Sequence, residues 1–107
     1  MDRRICAIIG SSAMTAAEFN AAMQPILQVI DDPNISLIVS DETGCATLTL
    51  RYLAKRKYRN VTIYHLGEEE KVFKNISGLP FKTRRGFTSY IEINEALRQN
   101  SELQIQL

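Results

Sequence analysis

The chain has 107 residues, a net charge of +1, 45% hydrophobic and 23% charged residues. That length holds one domain with a real core and leaves no room for two. The composition is that of an ordinary globular protein, and the near-neutral balance gives no reason to expect nucleic acid or an anionic membrane as partner.

Ile5 to Ile9 is a continuous apolar run, the pattern of a strand covered on both faces. Gly10, Ser11, Ser12 and Ala13 follow as a small-residue turn. Thr15 stands three before Glu18, the spacing of a capping box. Phe19, Met23, Ile26, Leu27 and Ile30 then recur at helical spacing, which predicts a helix from about Ala16 to Asp31, kinked at Pro25.

Ile35 to Lys57 carries the strongest signal in the chain. Ile35, Leu37, Ile38 and Val39 make a second buried strand, and Asp41, Glu42, Thr43 and Gly44 an acidic turn. From Cys45 the pattern is helical, with Ala46, Leu50, Leu53 and Ala54 on one side and Lys55, Arg56 and Lys57 at its end. Val61 to Leu66 is a third strand. Strand and helix in alternation imply parallel neighbours joined by right-handed crossovers.

Glu68 to Lys71 could form a helical turn or two, and Asn75 to Pro80 reads as loop. Phe81 to Arg85 fits a short strand, and Ser89 with Glu92 a second capping box. Tyr90, Ile93, Ala96 and Leu97 form the apolar side of the last helix. Leu103 to Leu107 alternates strictly, as a strand with one wet face does, so it belongs at a sheet edge or against another chain. The fold class is α/β: a three-layer Rossmann-like sandwich with a mainly parallel sheet and a C-terminal edge strand.

Cys6 and Cys45 form no zinc-like or CxxC pattern, and Cys6 reads as core. Cys45 follows Gly44 at a helix start, where a thiol pKa can fall; with His65 the sole histidine and no partner for it visible, packing is the expected role. The short apolar run after Met1 fits neither a leader nor a membrane span, so a cytoplasmic protein is expected.

Gly10, Ser11 and Ser12 offer backbone N–H groups and hydroxyls suited to a phosphate, although an ordinary strand-to-helix turn looks the same. Asp41 could accept from a ribose hydroxyl or cap the next helix. Thr43 adds a hydroxyl, Gly44 keeps the turn close, and Arg84 or Arg85 could close over an anion. His65 falls on the same sheet edge as Asp41 and reads as a surface or hydrogen-bonded residue.

Ile5 to Ser12, Leu37 to Ala46, RYLAKRKYRNVTIYH (Arg51 to His65) and GFTSYIEINEALRQNSEL (Gly86 to Leu103) together resemble the SLOG superfamily. That is the Rossmann-like group containing the DprA/Smf proteins and the LOG phosphoribohydrolases; the likeness is to its small YpsA-related branch. LOG enzymes carry PGGxGTxxE, which supplies a catalytic glutamate, whereas Gly44-Cys45-Ala46-Thr47 keeps one glycine and no carboxylate follows it. The resemblance therefore implies a nucleotide-like small-molecule ligand bound by a sensor or accessory subunit, without LOG-type catalysis and with no metal or cofactor. Cleavage or transfer at an N-glycosidic bond, and an interaction module that lost its pocket, are the alternatives. A homo-oligomer is expected, because so small an α/β unit leaves sheet edge or helix face uncovered.

Overall fold

The computed structural model describes residues 4–30, 32, 34–58, 60–67 and 82–107. Its elements are β1 (Arg4–Ile9), α1 (Ala16–Ala22), α2 (Gln24–Ile30), β2 (Ile35–Ser40), α3 (Cys45–Lys55), β3 (Val61–Leu66), β4 (Lys82–Phe87), α4 (Tyr90–Gln99) and β5 (Leu103–Gln106). The five strands form one sheet in the order β4-β3-β2-β1-β5, and every pair is parallel.

Strand alternation divides the core into two layers. Cys6, Ile8, Leu37, Val39, Val61 and Ile63 meet Phe19, Ile26, Leu50 and Leu53 from α1, α2 and α3. Ala7, Ile9, Ile38 and Tyr64 point the other way and meet Ile93 and Leu97 of α4. Both faces of the central strands are thus covered, which is why β1 and β2 read as unbroken apolar runs. The fold is the three-layer, Rossmann-like α/β sandwich.

Three local features differ from the sequence reading. The single kinked helix is two, because the first ends at Met23 and the second restarts at Gln24. Pro25 then stands in the first turn of α2, where its missing N–H costs nothing, rather than in a helix interior. The strand expected over Phe81 to Arg85 runs over Lys82–Phe87, with a register shift opposite Tyr64 and Leu66. The second capping box is incomplete: Glu92 N–H donates to Ser89 Oγ, but the Glu92 carboxylate accepts from Thr88 instead of Ser89. The Thr15–Glu18 box is complete. The features expected over Glu68 to Lys71 and Asn75 to Pro80 lie outside the described residues. Among the described residues no helix is long and apolar enough to cross a membrane.

Candidate functional site

Register brings three strand ends to one level. Ile8 lies opposite Val39 and Ser40 opposite Tyr64, so Gly10, Asp41 and His65 stand together at the carboxyl edge. Turns from β1 and β2 lead to helices on one face, while the β4 turn at Thr88–Ser89 starts α4 on the other. Chain from both layers therefore converges here, as at ligand sites of open α/β sheets.

The first two turns are fastened to each other. Cys45 N–H donates to Ser11 O at 3.0 Å. A Cβ on Gly10 would lie 2.4 Å from Cys45 Sγ, and one on Gly44 would lie 2.3 Å from Ser12 O. Gly44 also has φ +79°, where side chains are strained. Both glycines are thus required by the contact between the turns. Ser11 Oγ accepts from Ala13 N–H, and Ser11 O accepts from Met14 N–H as well, so much of this loop's hydrogen bonding is internal. Ser11, Ser12 and Thr43 remain exposed at the rim.

Asp41 does not look outward. Its side chain is fully buried, and Oδ2 pairs with His65 Nδ1 at 3.3 Å and accepts from Leu66 N–H at 3.2 Å. Oδ1 is buried and makes no hydrogen bond among the described residues. Tyr90, at the start of α4, comes near enough to this carboxylate for its phenol to feel the charge and hydrogen bonding of Asp41. Burial first, and then the negative charge of Asp41, hold the Tyr90 phenol above its ordinary pKa. Glu42 is raised in the same order, by burial and then by Asp41. The group formed is a carboxylate faced by an imidazole, a phenol and a second carboxylate.

Cys45 is buried beneath Gly10, and burial pushes its thiol up, with a weaker opposing effect from Thr49. It packs, as expected. Arg84 and Arg85 are not brought to the Gly10–Ser12 turn. They lie exposed on β4, three strand spacings or roughly 14 Å across the sheet from β1. The Arg84 guanidinium stacks over Tyr64 and Phe87, 5.6 and 5.9 Å from their ring centroids. Sequence reasoning placed His65 on the correct edge without a role and left Tyr90 as a core residue. The signal for the first was its position at the end of a strand neighbouring β2; nothing local marked the second. Among the described residues no three His, Cys, Asp or Glu side chains are grouped to hold a metal.

The molecule is an all-parallel, three-layer α/β domain whose polar groups converge at the carboxyl edge of its sheet. No family model, curated protein or solved structure matches the chain.

Proposed function

We propose that this chain binds a nucleotide or nucleotide-derived small molecule across the carboxyl ends of β1 and β2, as a sensor or accessory subunit. The observation that carries the reading is Asp41 Oδ1, a buried carboxylate oxygen beside the β1 turn that has no hydrogen-bond partner among the described residues. Leaving such an acceptor unpaired costs about 1–3 kcal/mol, and a ligand hydroxyl recovers that cost where binding shifts the surrounding side chains enough to let it donate to Oδ1. The exposed hydroxyls of Ser11, Ser12 and Thr43 supply donors for a phosphate on the neighbouring rim. LOG-type cleavage is not part of the proposal, since the first turn of α3 carries no acidic residue.

The test is isothermal titration against nucleoside mono-, di- and triphosphates and cyclic nucleotides. Ser12→Asp sets a negative charge against the phosphate from an exposed position and should weaken binding at least tenfold. Asp41→Asn, which keeps the side chain's shape, should weaken it by a similar factor. Absence of heat across the panel for the wild-type protein sinks the reading and leaves an interaction module.

A further inference from the structure

The two edges of the sheet are protected very differently. The β4 edge exposes Lys82, Arg84 and Arg85 and is broken by a register shift, devices that keep a strand from pairing with a copy of itself. On the other side of the sheet β5 has none of these. Leu103, Gln104, Ile105, Gln106 and Leu107 are uncharged, contain no proline and pair in unbroken register with β1. Among the described residues no strand lies beyond β5.

We propose that the β5 edge pairs with the β5 edge of a second copy, antiparallel about a two-fold axis at Ile105, to join the two sheets into one continuous sheet. The reasons are pattern, backbone parity and charge. LQIQL reads the same in both directions, so this register puts Leu103 against Leu107 of the partner subunit and Ile105 against Ile105 of the partner subunit. Gln104 then faces Gln106 of the partner subunit, with every apolar side chain on one face and every amide on the other. Leu107 N–H donates to Ile9 O, which by alternation turns the backbone groups of Leu103, Ile105 and Leu107 toward β1. The N–H and C=O of Gln104 and Gln106 are left pointing outward, as the new ladder needs. Between Leu103 and Leu107 no charged side chains meet across this contact, whereas two β4 edges would oppose cation to cation. A β4-to-β5 contact would leave free edges and grow into filaments; the β5 pair closes.

On the face packed by α1, α2 and α3, the half-buried Leu103, Ile105 and Leu107 continue the core, and the second copy covers them further. The antiparallel arrangement sends the carboxyl edges of the two subunits to opposite sides of the sheet. Each copy keeps its own candidate site, so the proposal stands apart from the ligand reading. A strand pair this short buries less than a standard interface, so association in the micromolar range is expected.

Sedimentation velocity at about 200 µM, well above a micromolar Kd, tests it with the whole 107-residue chain. The wild type should be a dimer that dissociates on dilution. Gln104→Lys with Gln106→Lys sets cation against cation and should give a monomer. Gln104→Lys with Gln106→Glu sets each new cation against a new anion and should restore the dimer, more tightly at low salt. Gln104→Pro removes the outward N–H together with the exposed side-chain bonds to Arg98 O and Ser101 Oγ, and should give a folded monomer that melts cooperatively, slightly below the wild type. A wild-type monomer, a dimer unmoved by the two lysines, or an opposite-charge variant that dissociates like the two-lysine one overturns the pairing.

Discussion

Gly44 and Ser12 stand closer than any side chain at residue 44 would allow: a Cβ there would lie 2.3 Å from the Ser12 carbonyl oxygen and 2.4 Å from its carbon. Both obstructing atoms are backbone and cannot swing away. Gly67 has a similar φ of +73° but nothing within 4 Å of its would-be Cβ. The pair separates conformational strain from collision. Gly67→Ala should cost about 1 kcal/mol from φ alone, and Gly44→Ala at least about 2 kcal/mol. Chemical denaturation of the two variants checks this; equal losses would mean the turns do not touch.

Val39 is fully buried at the middle of the sheet, in the layer facing α3. Val39→Asp would leave a charge there with no partner, costing several kcal/mol against a total stability of about 5–15 kcal/mol. The variant should be unfolded or nearly so by circular dichroism. Native melting would remove β2 from the centre of the fold.

Much of this architecture was legible because it is written in local pattern. Strands covered on both faces must be apolar at every position, so β1 and β2 announce themselves; β5, covered on one face, alternates. The Thr15–Glu18 box is a contact between residues three apart, and it formed as spaced. The site was harder to see because its contacts cross the sheet. Asp41 meets His65 only through the register of β2 on β3, and Tyr90 arrives from a helix on the opposite face. Gly10 looks like a ligand-binding glycine, yet the atom it makes room for is Cys45 Sγ, 35 positions on. Arg84 looks like a phosphate clamp, but its place in mid-β4 sets it over Tyr64 and Phe87.

Both cysteines are buried, and burial raises both thiols above the ordinary value of 9.0. A group whose folded pKa is raised holds its proton longer in the native state than in the unfolded chain. Its contribution is present below the unfolded pKa and is lost as pH rises toward the folded one. Tyr90 acts in the same sense, from an ordinary value of 10.0. Denaturation midpoints should therefore be steady up to about pH 8 and fall beyond pH 9. Neither thiol should react with a disulfide reagent in native buffer, and both should react on unfolding. Rapid labelling of Cys45 in the native protein would mean that the Gly10 turn does not cover it.

The Tyr90 phenol offers a direct reading of the Asp41 charge. Burial raises it first, then the charge and the hydrogen bonding of Asp41, and last the charge of Glu42. Asp41→Asn removes the Asp41 charge and leaves the burial nearly intact, because the amide fills the same volume. The phenol should then titrate at lower pH than in the wild type but still above an ordinary tyrosine. Tyrosinate absorbance followed to alkaline pH measures this, with Tyr90→Phe identifying which of the four tyrosines moves. The same substitution keeps an oxygen for Leu66 N–H but changes what faces His65. A modest loss of stability, on the order of 1–2 kcal/mol, should accompany it. A Tyr90 titration unmoved by Asp41→Asn would show that α4 does not bring its first residue to the β2 carboxylate. The candidate site would then consist of the β1 and β2 turns and the Asp41–His65 pair alone.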